Sequence, residues 1–188
     1  MLDMTSGSTD IWYSETYAFN RVRVYEGGII TDIQVESMGR IGYFEYRKMI
    51  SDMESGSNPT AINPYGYMGL YQFGEQTLRG LGSDVTLQKF RKNGLAVFPV
   101  KEQHRLFKKF TLMNENYLKD LILEYDGKII NGVRLTRAGI LAGAHLVGCG
   151  SAKRVLMNKG KVDIRDGNGV SFFDYASKFS HIGYILIE

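Results

Sequence analysis

The chain carries one cysteine, three prolines and one tryptophan among its 188 residues. A lone thiol, Cys149, excludes an internal disulfide and any cysteine-rich metal site, and suits synthesis in a reducing compartment. No stretch approaches the ~18 consecutive apolar residues that a membrane span requires, so no membrane insertion is expected. The opening residues, Met1-Leu2-Asp3-Met4-Thr5, lack the basic and apolar regions of a secretory signal. Charge is nearly balanced. With 23 Lys and Arg against 20 Asp and Glu, the net +3 is too small to argue for a nucleic-acid partner. Internal repeats, low-complexity tracts and long linkers are missing as well, and the length favours one domain with a small appendage.

What is present is glycine, 22 residues of it, together with 12 tyrosines and a hydrophobic fraction of 44%. That fraction suffices for a full core. The glycines imply many tight turns or helix ends, and exposed tyrosines suit stacking on sugars or bases.

Along the chain, residues 1–10 read as a frayed end. Arg21-Val22-Arg23-Val24-Tyr25, a Gly27-Gly28 turn and Ile29 to Val35 read as a β-hairpin, with Ser37-Met38-Gly39 as its exit. The period then changes. Tyr46, Met49, Ile50 and Met53 share one helical face from Ile41 to Ser55, and Gly56 is placed to stop the helix. Pro59 and Pro64 keep the next stretch in turns.

Short helices are expected over Glu75–Leu81 and over Val85–Lys92 with Asp84 as cap. A long helix from Lys101 to Glu124 places Leu106, Phe110, Met113, Tyr117 and Leu121 on one stripe, taken as core. Asp126-Gly127-Lys128 is a turn. Thr136 caps a small-residue helix, Arg137–Val147, broken by Gly148 and Gly150. Further helices are expected over Ala152–Lys159 and from a Ser171 cap to Phe179, with Ile182–Ile187 as a strand returning to the hairpin. The expected organisation is therefore an α+β, mainly α fold: a β appendage over 1–37, a helical domain over 38–180 and a tail over 181–188.

Chemistry concentrates around Met53-Glu54-Ser55-Gly56 and Gly66-Tyr67-Met68-Gly69-Leu70-Tyr71-Gln72-Phe73-Gly74. A carboxyl at the C-terminal end of an apolar helical face meets the negative end of the helix dipole and, beside Ile50, Met53 and Tyr71, loses solvent. Both effects favour the protonated form, which makes a general acid of Glu54. The glycines allow backbone to approach a ligand closely, while Tyr67, Tyr71 and Gln72 offer rings and an amide suited to amino sugars.

These residues resemble the catalytic region of the soluble lytic transglycosylases, lysozyme-like enzymes related to goose-type lysozyme, in a divergent, phage- or secretion-associated form. Glu54-Ser55 corresponds to the family's Glu-Ser pair, and Gly69-Leu70-Tyr71-Gln72 to its Gly-Leu-Met-Gln turn, with Tyr71 at the methionine position. Ala144-His145-Leu146-Val147-Gly148 corresponds to an Ala-Tyr-Asn-Ala-Gly element, with His145 in place of tyrosine and Leu146 in place of asparagine. The resemblance covers residues 41–180. It implies a lysozyme-like helical domain that cleaves the MurNAc-GlcNAc bond of peptidoglycan, with Glu54 as the single acid and base and a 1,6-anhydro product.

It further implies substrate contacts from Ser55, Asn63, Tyr67, Met68, Tyr71, Gln72 and His145, and neither cofactor nor metal. The site of action would be the periplasm or cell wall, reached by phage or secretion machinery that docks on the N-terminal β segment, or by way of a leader since removed. The alternatives are a hydrolytic muramidase, a non-catalytic peptidoglycan-binding component of such machinery, and chitin as the polymer.

Each residue also has a plainer reading. Glu54 alone reads as a solvated glutamate at a helix end, and only the motifs after it reverse that. Asp52 points away from Glu54 on a helix, and Glu75 is the better second carboxylate. His145 is equally a core histidine or a cleft wall. His104 and His181 are expected at the surface, and Cys149 as a buried structural thiol. Asp163, Asp166 and Asn168 hint at calcium but lack the EF-hand spacing, so a tight turn is preferred.

Overall fold

The computed structural model describes residues 9–13, 20–24, 32–182, 185 and 187, with side chains from residue 41 onward. The described chain is mainly helical. Strands β1 (Thr9–Tyr13) and β2 (Asn20–Val24) form an antiparallel pair with Thr9 opposite Val24 and Tyr13 opposite Asn20. The partner of Arg21–Val24 thus lies upstream, not downstream as the sequence suggests. The Gly27-Gly28 turn and Ile29–Thr31 fall outside the described residues. Asp32–Val35, expected as strand, is the first turn of helix α1 (Asp32–Ser55). Ile33 and Val35 have a β preference of only a few tenths of a kcal/mol, which continuity with a long helix overrides. The boundary expected at 37/38 falls inside that helix, as does Ser37-Met38-Gly39.

Gly56 and Ser57, at φ +61° and +59°, turn the chain out of α1, their N–H groups bonding the Asp52 and Ser51 carbonyls. The glycine-rich segment then folds on itself. Met68 and Phe73 exchange backbone hydrogen bonds of 3.0 and 2.9 Å, closing the loop Gly69-Leu70-Tyr71-Gln72, and the Gly69 N–H reaches the Ala61 carbonyl. Buried Gln103 clamps this loop: its Oε1 accepts from the Leu70 N–H, and its Nε2 donates to the Pro59 and Phe98 carbonyls. Glycine is required at position 69, because φ is +74° and a Cβ would stand 2.5 Å from Gln103 Oε1.

Helices α2 (Glu75–Gly80) and α3 (Leu87–Asn93) follow, the second capped by Thr86 rather than Asp84. Val85 is buried ahead of the helix, and exposed Asp84 pairs with Lys89 instead. A 3₁₀ turn (Gly94–Ala96) leads into α4 (Val100–Tyr125). The buried face of α4 is Gln103, Leu106, Phe107, Thr111, Asn114, Leu118, Ile122 and Tyr125. The expected stripe is therefore rotated: Leu106 is buried, but Met113 and Tyr117 are half exposed, Tyr117 lying beneath the Lys153 ammonium. Polar residues on the true face disguise it.

A small hairpin, β3 (Ile129–Ile130) and β4 (Val133–Arg134), turns at Asn131-Gly132, both at positive φ. Helix α5 (Arg137–Val147), capped by Thr136, is buried from Ala138 to Ala144 and packs against α4, α6 (Cys149–Met157) and α7 (Phe172–Lys178). Gly148, at φ +81°, separates α5 from α6, whereas Gly150, expected as a breaker, is helical. Cys149 is half-buried, not fully buried. Ser171 and Asp174 form a reciprocal capping box that starts α7. Ile182, Ile185 and Ile187 are buried and carry no strand assignment; the rest of the expected C-terminal strand lies outside the described residues.

Candidate functional site

Glu54 sits in the last turn of α1, its side chain 18% exposed. Its Oε1 accepts a 2.6 Å hydrogen bond from the Tyr175 hydroxyl, and His145 Nε2 lies 3.7 Å from the same oxygen. Three helices therefore converge on one carboxylate: α1 supplies it, α7 supplies the phenol, and the last turn of α5 supplies the imidazole. The two partners are placed by close helix packing. A Cβ on Gly143 of α5 would stand 2.4 Å from the Phe172 ring of α7, and one on Gly139 would stand 2.8 Å from the Ala176 carbonyl.

Electrostatics follow from this crowding. Burial, joined by the Glu54 charge, pushes the Tyr175 phenol well above the ordinary tyrosine range. Burial also pushes the His145 imidazole below its ordinary value, more strongly than Glu54 and the Tyr71 backbone raise it. His145 Nδ1 is buried with no partner in hydrogen-bond geometry. The ring stands edge-on to Phe73, Phe107 and Phe110, an apolar setting that favours the neutral form.

Glu54 and His145 open into a cleft of about 730 Å³, within the range of ligand sites. One wall is the glycine-rich segment, with Asn63, Tyr65, Gly66, Tyr67, Gln72 and Gly74; Glu75 and Leu87 extend it, and Phe110 and Leu146 line the cleft as well. Asp166, Gly167 and Asn168 also line it. Asn63 braces the first wall by accepting the Tyr65 and Tyr67 N–H groups at 2.9 and 3.0 Å. Both tyrosine rings remain exposed, at 73% and 45%. Gln72, at φ +48°, folds its amide onto the Gly69 carbonyl.

Of the expected site residues, Glu54, Asn63, Tyr67, Gln72 and His145 line this cleft. Ser55, Met68 and Tyr71 do not. Ser55 Oγ donates to the Leu70 and Ser51 carbonyls, tying the end of α1 to the turn. Met68 is fully buried. Tyr71 is a core residue: its ring stacks on Phe107 at 4.0 Å and its hydroxyl meets His104 Nδ1 at 2.6 Å. That contact half-buries His104, expected at the surface. An aromatic ring at this turn position finds more apolar surface inside than at the cleft.

His181 is exposed and near Glu45, and Asp52 is exposed, bonding Lys48 and Ser57. Glu75 does line the cleft, its Oε1 accepting the Leu87 N–H at 2.6 Å. Tyr175 and the Asp166-Gly167-Asn168 wall were missed. Asp166 accepts from the Asn168 and Val170 N–H groups and the Asn168 amide, so its oxygens organise its own tight turn. Among the described residues, no group of three or more His, Cys, Asp or Glu side chains could hold a metal, and no helix is long and apolar enough to cross a membrane. No protein-family model, curated protein or solved structure matches the chain.

Proposed function

We propose that the protein has a lysozyme-like fold and is a lytic transglycosylase that cleaves the β-1,4 bond between N-acetylmuramic acid and N-acetylglucosamine in peptidoglycan. The observation that carries this reading is a half-shielded carboxylate, Glu54, held by a tyrosine hydroxyl at the edge of a cleft walled by exposed tyrosines and amides. Glu54 acts first as acid, protonating the glycosidic oxygen. The muramoyl acetamido oxygen stabilises the oxocarbenium-like centre as the bond breaks. Glu54 then takes the proton of the C6 hydroxyl, whose oxygen closes the 1,6-anhydro ring. Glu54 ends protonated, ready for the next turnover, and no water is consumed. Tyr65 and Tyr67 offer ring faces to sugars, and the side chains of Asn63, Gln72 and Asn168 suit hydroxyl and acetamido groups.

Hydrolysis is the second reading, since Glu75 and Asp166 also line the cleft and a two-carboxylate glycosidase needs a partner for its acid. The bonds that Glu75 makes to α3 and Asp166 to its own loop favour structural duty for both. Digestion of purified sacculi with mass analysis of the muropeptides tests the choice. Anhydro ends are expected, and reducing ends alone would establish a muramidase. Full lytic activity in Glu54→Gln would remove the carboxylate from the mechanism altogether.

A further inference from the structure

The cleft differs in charge from the chain that builds it. The protein holds 23 lysines and arginines. Yet among the described residues the cleft lining contains three carboxylates, Glu54, Glu75 and Asp166, and no lysine or arginine. Arg165, beside Asp166 in sequence, is turned to Asp163, Asp174 and the Gly169 carbonyl. Lys89, two residues from Leu87, is held by Asp84. Burial pushes the His145 imidazole below its ordinary value, against becoming a cation. With Glu54 carrying its proton for acid catalysis, an anion entering this space still meets the Glu75 and Asp166 carboxylates and no lysine or arginine among the described residues of the lining, which is how a site discriminates against a ligand by repulsion.

Resting on the reading above, we propose that the cleft selects muramoyl units whose lactyl carboxyl is capped in an amide and rejects units that carry it free. In peptidoglycan that carboxyl is capped by the peptide stem. Stripping the stem leaves an anion one ether linkage from the sugar ring, so a muramoyl unit bound in the cleft brings that charge into a space lined by Glu75 and Asp166. The neutral side chains of Asn63, Gln72, Gln76 and Asn168 can satisfy an amide and an acetamido group. None supplies the cation that a free lactate requires. This cleavage therefore precedes the class of reaction that hydrolyses the muramoyl-peptide amide, because the product of that hydrolysis is a poor substrate here.

The experiment compares three polymers at low ionic strength: stem-bearing glycan strands, strands denuded by a muramoyl-peptide amidase, and denuded strands whose carboxyls are converted to methylamides. Denuded strands are expected to be cleaved at least tenfold more slowly, the deficit shrinking with added salt, and methylamide capping is expected to restore the rate. Glu75→Gln with Asp166→Asn keeps the Oε1 acceptor for the Leu87 N–H and the Oδ1 acceptor for the Asn168 and Val170 N–H groups, gives up only the bond from the Asn168 amide to Oδ2, and should narrow the difference between stem-bearing and denuded strands. Equal or faster cleavage of denuded strands overturns the proposal. So does a deficit that methylamide capping leaves in place, since stem contacts would then explain it. Glu54→Gln separates the two levels: retained cleavage refutes the catalytic reading alone, while co-sedimentation of that variant with the three polymers reads the charge preference without turnover.

Discussion

The Tyr175 hydroxyl donates to Glu54 Oε1 across 121 positions of sequence, at 2.6 Å. The bond fixes one oxygen of a carboxylate that lines the cleft. Hydrogen bonds to charged groups are worth about 1.5–3 kcal/mol. Tyr175→Phe preserves the buried ring and removes only this donor. Under the proposed function, lytic activity on sacculi is expected to fall about tenfold, the equivalent of about 1.4 kcal/mol, with the thermal midpoint nearly unchanged. Wild-type turnover in the phenylalanine variant would show that Glu54 needs no such orientation.

The small residues of α5, which carries His145, let it approach α7, which carries Tyr175. Alanine at position 139 or 143 gains about 1 kcal/mol in helix propensity over glycine. Against that, a Cβ at 139 would meet the Ala176 carbonyl at 2.8 Å and one at 143 the Phe172 ring at 2.4 Å. Overpacking of this kind costs about 1–3 kcal/mol. Gly139→Ala is the sharper case, because backbone cannot rotate away as a ring can. Both variants are expected to lower the urea midpoint, and both to lower activity through displacement of α7.

How far the sequence exposes this arrangement depends on the range of the interaction. Local signals survive: Gly56 ends α1, Thr136 caps α5, and Ser171 opens α7 with a full capping box. Asn131-Gly132 is an equally local hairpin signal that the expectations passed over. Glu54 is legible because Gly56 ends α1 just beyond it, and Tyr67 and Gln72 because the glycine turn that presents them is short-range chemistry. Tyr175 belongs to a helix whose relation to α1 depends on how α5 packs, and no spacing rule encodes that. Tyr71 misleads because the same ring suits sugar stacking and core stacking, and only Phe107 on α4 decides between them. On α4 itself, Gln103, Thr111 and Asn114 hide the buried face from an apolar period.

Gln103 gives the most direct test of how the glycine-rich turn is held. Its amide makes three hydrogen bonds, to Leu70, Pro59 and Phe98, and is wholly buried. Gln103→Leu fills similar volume but strands two carbonyls and one N–H, each unsatisfied group costing about 1–3 kcal/mol. Destabilisation by about 3 kcal/mol is expected in urea titration, and activity should fall further than the population of folded protein does. Loss of stability alone, with normal turnover per folded molecule, would separate Gln103 from the site.

The direction of the buried titrations fixes how stability varies with pH. His145 and His104 are both held below 6.5 by burial. The unfolded chain therefore binds the extra protons first as pH falls. Their contribution is whole above about 6.5 and is lost progressively below it. At the other end, burial raises Tyr43 to about 12 and raises Tyr46, Tyr71 and Tyr175 as well. Phenols in the unfolded chain ionise near 10, so stability is whole below that value and declines as pH rises through the folded range. Urea midpoints measured across pH should form a plateau between about 6.5 and 10 with a fall on each side. Phenolate absorbance should lag the model tyrosine titration until the protein unfolds. His145→Gln should flatten the acid limb. An unchanged limb in that variant would assign it instead to His104, whose ring bonds the Tyr71 hydroxyl behind the glycine-rich turn.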